Sequence, residues 1–456
     1  MFKDKTTQDM TIGNPMKLIL AFSIPLIIGN IFQQLYTIVD TMVVGQALGV
    51  KALAALGSID TINWVVTGFI LGITQGFGIL IAQKFGEGDR SNLNIIVTNS
   101  VVMSIIMAII LLVLVQLAII PGLTLLRVPE EIVPYSVLYL RILISGIPIV
   151  VIYNMEAVIL RSLGDSKSPL VAMTIATFTN IVLDILFVVA FKWGIKGAAI
   201  ATLISQFLSA VFCFVRVKKI DILDIGKDGF RIDRKWAFSM MKMGLPLATQ
   251  NVIISFGGMI LQSVIDGFGI FVIAGSTATN KLYGILESAA LAYGYAMTTY
   301  VGQNYGARKP DRIRKGVTTA NVISVFSCVI IACITIGFGK YFLKLFISGN
   351  PEEVESTLYY AYAFLCDLSL FLPTLYLIHV LRSVLQGLGH TVITMYSGFV
   401  ELIIRIVAAL TLPLIFGARI LFGVHILAWI GSDILLIIAY YYYMRKLEGQ
   451  IIENGI

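Results

Sequence analysis

Apolar runs of roughly twenty residues, separated by short stretches of charge, glycine and proline, recur along the whole chain. A run of about 20 apolar residues is one helical bilayer crossing, and in lipid only helices or closed barrels satisfy their own backbone polar groups. Runs beginning near Met16, Ala52, Leu93, Ile132, Ser168, Ile195, Trp236, Ile270, Ile313, Val354, Thr391 and Leu421 predict twelve transmembrane helices and an all-α polytopic membrane fold. Twelve spans take up roughly 240 residues, which leaves helix extensions and short loops from a 456-residue chain and no room for a soluble domain. Composition agrees: 13% of residues are charged and 58% hydrophobic, where a soluble domain carries about 25% charge. A soluble enzyme and a disordered chain are both excluded.

Met1 to Asn14 is polar and mixed in charge, with no small-residue cleavage site after an early apolar core, so no cleavable signal is expected. The net charge of +7 is read by position. Assigning Lys and Arg to alternate sides puts 23 on the side of both termini, with Arg382 among the loop residues there, and 7 on the other (Lys51, Arg127, Lys192, Lys196, Lys340, Lys344 and Arg419). The positive-inside rule then places both termini in the cytoplasm of a cell-membrane protein. The basic surplus is topological, and no nucleic-acid partner is expected. Cys213, Cys328, Cys333 and Cys366 lie in apolar runs without a CxxC pair and read as core residues, with neither disulfide nor metal.

The chain also repeats itself. Pro25 and Asn30 recur as Pro246 and Asn251, and Gln83, Phe85 and Gly86 recur as Gln303, Tyr305 and Gly306. Pro148 matches Pro373, and Ile159 to Asp165 matches Val384 to His390, all 225 residues on. Six helices per repeat is an even number, so both halves enter from one side and are related by an axis along the membrane normal. The expected division is an N-terminal lobe over 1–217, a polar linker over 218–235 and a C-terminal lobe over 236–456. Two such bundles make a cleft at membrane depth, where transporters place their sites. With no GxxxxGK[ST] loop for ATP and no His/Asp or Ser/Lys constellation at one depth, the reading is a gradient-driven carrier without cofactors, not an enzyme. Gly68, Gly72 and Gly76 recur every four residues on the second helix, as in close helix packing.

A carboxylate at a helix centre costs roughly 2.5 to 3.5 kcal/mol on insertion scales, so it should face a wet cavity or a partner. Asp40 and Asp184 are the leading cases. Asn180 and Asp184 are i, i+4 neighbours on one face, Thr202 offers a hydroxyl, and Pro25 kinks the helix that carries Asp40. Hard oxygen donors at these four positions suit Na⁺ as well as a protonatable pair. In the second half, Glu401 and Arg405 are spaced for an ion pair, while Glu287 reads as a negative charge on the substrate path or a partner of Lys281. Asp367 and Asp433 are further acids there. Apolar and aromatic contacts dominate binding pockets, and Tyr36, Met155, Met173, Tyr283 and Met297 are candidate liners, with Gln34, Asn154 and Asn180 as hydrogen-bonding groups. His379, His390 and His425 are too scattered for a metal site and are assigned no chemistry.

The stretches Pro25 to Asn30, Asp40 to Gly45 and Leu53 to Gly57, with the Gln83 to Gly86 and Leu163-Gly164-Asp165 turns, resemble the multidrug and toxic compound extrusion (MATE) family. The likeness covers nearly the whole chain and looks closest to the bacterial branches typified by MepA and DinF. It implies a V-shaped pair of six-helix lobes that exports cationic, amphipathic compounds in exchange for H⁺ or Na⁺, with Asp40, Asn180, Asp184 and Thr202 at the positions of the N-lobe ion-coupling residues. The chain is expected to act as a monomer among membrane lipids. One branch of the family carries an acid on helix seven for a C-lobe cation site; here that stretch reads Gln250-Asn251-Val252-Ile253-Ile254-Ser255. The alternative reading is a flippase of lipid-linked sugars from the same superfamily, which would need basic groups in the cleft.

Overall fold

The structure, a computed structural model, describes residues 7–126, 128–225, 231–347 and 349–453. Lys3, Lys5, Arg127 and Lys227 of the charge count, and residues 226–230 of the linker, lie outside them. Fourteen α-helices make up the described residues, seven in each repeat. The first seven are α1 (Pro15–Leu48), α2 (Val50–Glu87), α3 (Arg90–Leu125), α4 (Val133–Ser145), α5 (Ile147–Ser162), α6 (Lys167–Asp184) and α7 (Ile195–Lys218). The second seven are α8 (Arg234–Ile265), α9 (Ile270–Gly306), α10 (Pro310–Lys344), α11 (Pro351–Leu370), α12 (Leu372–Gly387), α13 (Thr391–Phe416) and α14 (Gly423–Glu453).

The repeat seen in sequence is a repeat of backbone. The fourth expected helix is a bent pair, α4 and α5, meeting at 47°, and the tenth is α11 and α12, meeting at 49°. Pro148 and Pro373, 225 residues apart, open the second leg of each, where a proline tolerates the first helical turn but cannot continue the helix before it. The turns repeat as well: Gly49 before α2 and Gly269 before α9 have φ of 81° and 93°, and Gly164 and Gly389 have φ of 90° and 88°. Only glycine reaches these angles without steric cost. Among the described residues, nine helices are long and apolar enough to span a membrane, or eleven with each bent pair counted as one crossing. The twelfth, α9, has the length but not the apolarity, since its buried face carries Ser276, Thr279, Ser288, Thr298 and Thr299.

Two compact units emerge from packing. One holds the described residues of Met1–Asp9 and Ile24–Ala248, the other those of Met10–Ser23 and Thr249–Ile456. Helices α1 and α8 therefore each change unit part-way along, beside Pro25 and Pro246.

In the first unit, one apolar cluster joins Phe77 and Ile81 of α2, Ile96 of α3, Ile159 of α5, Cys213 of α7 and Met240 of α8. A second joins Ala55 and Ile59 of α2, Leu140 and Ile144 of α4, and Ala198 of α7. The expected glycine seam is present: a Cβ on Gly72 would stand 2.3 Å from the backbone nitrogen of Ala248, and one on Gly76 2.3 Å from Cα of Gly244. Helices α2 and α8 thus cross backbone against backbone, as small residues at every fourth position allow.

In the second unit, the segment before α1 is held by α9 and α10. Met10 N–H donates to Gln303 Oε1 at 2.8 Å, Asn304 Nδ2 donates to Met10 O at 3.1 Å, and Arg312 Nη1 donates to Gly13 O at 3.0 Å.

Two cysteines and one arginine depart from their expected places. Cys213 and Cys328 are buried as expected, but Cys333 is exposed and Cys366 only half-buried, because an apolar run on a membrane helix does not separate its lipid face from its packing face. Arg382 is not a loop residue: it lies inside α12 and is 6% exposed, so it does not belong in the loop charge count.

Candidate functional site

In the first unit, α1, α6 and α7 bring the predicted acids together. Tyr36 and Asp40 stand one helical turn apart on α1, Asn180 and Asp184 one turn apart on α6, and the Tyr36 hydroxyl donates to Thr202 Oγ1 of α7 at 3.2 Å. Asp184 and Asn180 are fully buried, and Asp40 and Thr202 nearly so. The Asp40 and Asp184 carboxyl groups lie close enough to interact electrostatically. Among the described residues, neither Oδ1 nor Oδ2 of Asp184, nor Oδ1 of Asp40, has a donor, and both polar atoms of Asn180 are unpartnered.

The chemistry of this arrangement is simple. Two carboxylates offer only acceptors, so they cannot bond one another until a proton stands between them, and two charges so close in a buried site repel. One added cation relieves both deficits. Asp184 is also the last residue of α6 before a π-helical turn, Ile185–Ala190, the kind of widened turn found often at functional sites.

Of the other residues expected in the first unit, Asn154 and Met155 make their contacts away from this cluster. Gln34 is half-buried on α1 and Met173 half-buried on α6. Asn154 spends its Nδ2 on Val150 O of its own helix at 2.8 Å, and Met155 is packed in the apolar cluster with Val158 and Cys213. Tyr36, expected as a substrate liner, is part of the acid cluster through Thr202. Two buried groups escaped the sequence reading: Tyr139 of α4, in electrostatic range of Asp40 and Asp184, and Glu156 of α5, 5% exposed with an unpartnered Oε2. The apolar run around Glu156 was the available signal.

In the second unit, Glu287 lies half-buried on α9. Tyr283 donates its hydroxyl to Glu287 Oε1 at 3.3 Å, and His379 Nε2 of α12 is 3.9 Å from the same oxygen. Lys281 makes no ion pair with Glu287 among the described residues; it lies six positions away, and i, i+6 residues do not share a helix face. Tyr283 stacks on Trp429 with ring centroids 6.1 Å apart and faces His425 at 6.4 Å, so two of the histidines assigned no chemistry border this group. Met297 is fully buried on α9.

The expected Glu401–Arg405 pair is present, at 2.5 Å, and belongs to a larger network. Glu401 Oε2 also accepts from Arg382 Nη2 at 2.7 Å; Arg382 Nε donates to Ser397 Oγ at 2.9 Å, and its Nη2 lies 3.3 Å from Ser432 Oγ. Helices α12, α13 and α14 are thereby tied by one buried ion network. Asp367 pairs with Arg419.

These features define a duplicated, multi-pass helical membrane protein with an intramembrane carboxylate pair, the class of polytopic carriers. Comparison narrows the class to a family. The MatE family model matches residues 25–186 and 246–411, one segment in each repeat. The chain belongs to that family, the multidrug and toxic compound extrusion transporters. It is 33% identical over 392 residues, 84% of each chain, to a probable multidrug resistance protein, YpnP, of Bacillus subtilis. It is 22% identical to the multidrug export protein MepA of Staphylococcus saprophyticus, over 94% of this chain and 92% of that one. Among solved structures, an outward-facing MATE transporter superposes with a TM-score of 0.91 over 98% of this chain and all of the other, at 23% identity.

Proposed function

We propose that the protein is a secondary active multidrug efflux antiporter of the cell membrane, exporting cationic amphipathic compounds in exchange for H⁺ or Na⁺ by alternating access. The observation that carries this reading is the buried Asp40–Asp184 pair with its donorless oxygens, set among Asn180, Tyr36 and Thr202. Such a site binds a proton shared between two carboxyls, or a sodium ion held by oxygen donors of these residues. Relatives named for multidrug resistance and export support a small-molecule drug cargo, and the acidic cluster is the reason for reading it as cationic. An ion moves a conformational equilibrium only through its different affinity for the two states; Pro25, where α1 passes from one unit to the other, is the proposed joint that responds to the charge of Asp40.

The flippase alternative calls for basic groups free to hold a pyrophosphate. The two buried arginines of the second unit, Arg382 and Arg405, are both engaged by Glu401, which weighs against it.

Efflux of a fluorescent cation from energised vesicles tests the proposal, with proton and sodium ionophores as the two arms that name the driving ion. Asp40→Asn and Asp184→Asn are expected to lose at least about tenfold in gradient-driven efflux. Wild-type rates in both variants would overturn the reading.

A further inference from the structure

Laying one repeat over the other shows what became of the acid site in the second unit. With the offset of 221 that carries Pro25 to Pro246, Tyr36 and Asp40 correspond to Gly257 and Leu261; with the offset of 225 that carries Asp165 to His390, Asn180 and Asp184 correspond to Arg405 and Ala409. Both acids are gone, and an arginine stands where Asn180 stands in the first unit. The missing side chain at Gly257 is what admits it: a Cβ there would stand 2.7 Å from Arg405 Nη1.

Arg382 and Arg405 share the single carboxylate of Glu401, so the triad carries one net positive charge at 3 to 6% exposure. An uncompensated buried charge is strongly destabilising, and a counter-charge stands one residue along α14 from Ser432, itself in the network. That residue is Asp433. It is 5% exposed, it lies in electrostatic range of Arg382 and Glu401, and neither of its carboxyl oxygens has a hydrogen-bond partner among the described residues. Nε of Arg405 is unpartnered too. The charged and titratable groups on the elements packed against this part of α14 are Arg382 and His379 of α12, Glu401 and Arg405 of α13, and Tyr283 of α9, which stacks on Trp429 one turn before Asp433 and bonds Glu287, with His425 two turns earlier on α14 itself.

We propose that Asp433 is a second proton-binding site of the protein, with the Arg382–Glu401–Arg405 triad as its counter-ion. Ionised, the Asp433 carboxylate competes with Glu401 for a guanidinium and neutralises the network. Protonated, it releases both arginines to Glu401, the arrangement the structure shows. Because the network ties α12, α13 and α14, proton binding there is coupled to how these three helices are held. The site rests on the antiporter reading only for its place in transport, since proton binding can be measured without transport.

The test counts protons taken up per purified transporter on acidification, with a pH-indicator dye, in the wild type, Asp433→Asn and Asp433→Glu. Asp433→Asn is expected to bind one proton fewer and Asp433→Glu to restore the count. An unchanged count in Asp433→Asn overturns the proposal. Should Asp433→Asn fail to give a monodisperse protein, carbodiimide labelling of the wild type reads the same carboxyl. Labelling of Asp433 under acid conditions and protection under alkaline ones supports the site, and no labelling of Asp433 at any pH overturns it. A lowered count in Asp433→Asn alongside wild-type efflux by Asp40→Asn and Asp184→Asn would keep this site and sink the antiporter reading; the converse pattern would do the opposite.

Discussion

The two units share a backbone plan and use it for opposite electrostatics. In the first, two carboxyls lie close together with no basic side chain among the described residues hydrogen-bonded to them, so the site is incomplete until a cation arrives. In the second, a carboxylate on α13 is clamped between two guanidinium groups, one from α12 and one from α13, and that carboxylate is satisfied without any ligand. The lesson is that duplication preserves bends, turns and packing seams, while a few side chains decide whether a buried polar cluster binds something or braces something.

Substitutions can break that contrast. Asp184→Asn should leave the fold intact and remove at least about tenfold of coupled efflux, a loss of at least about 1.4 kcal/mol in transition-state terms. Glu401→Gln should do the reverse. It leaves two buried guanidinium groups without their carboxylate, a loss of about 3 to 5 kcal/mol, read as a lowered unfolding midpoint in detergent. If Glu401→Gln were as stable as the wild type and only transport suffered, the Arg382–Glu401–Arg405 triad would not be a structural brace.

Smaller changes sharpen the comparison. Gly257→Ala intrudes on Arg405, which cannot retreat without releasing Glu401, and should cost about 1 to 3 kcal/mol by overpacking, measured by the same unfolding assay. Tyr36→Phe, at the corresponding position of the first unit, removes only the 3.2 Å bond to Thr202 and should cost about 1 kcal/mol.

The smallest effect concerns the matching turns. Asp165 accepts from the Lys167 and Ser168 amides at 3.0 and 2.9 Å and so caps α6. Its counterpart His390 stacks on Tyr443 at 3.7 Å instead. Burial, with the Lys446 charge nearby, holds the His390 imidazole below its usual titration range. The neutral form is therefore favoured by folding, and its contribution is present above the ordinary histidine value of about 6.5 and is lost as the pH falls through the lower folded value. His390→Phe should flatten the dependence of the unfolding midpoint on pH on that acid side; an unchanged slope would show that His390 does not set it.

Much of this was legible from the chain alone. Hydropathy periods and the 220 to 225-residue offset give most of the helices and the repeat, because lipid forces an apolar span to declare itself, while the family is carried by the motif stretches such as Pro25 to Asn30. Asp40, Asn180, Asp184 and Thr202 stood out as polar groups in apolar surroundings, and Glu401 with Arg405 by i, i+4 spacing. Arg382 was misplaced because its partner, Glu401, is 19 residues away on another helix, beyond the reach of local pairing rules. The bends at Gly146 and Phe371 were marked by Pro148 and Pro373, yet nothing in a run of apolar residues says that its two legs diverge by nearly fifty degrees. Cys333 shows the same limit for lipid-facing sides.

Because α1 and α8 each begin in one unit and finish in the other, each unit takes a helical segment from both halves of the chain. The arrangement has the form of a strand of sequence traded between twins, as in segment-swapped dimers. A half-length forebear would have needed a second copy to complete itself, and severing the present chain between its halves should yield fragments that mature only when made together.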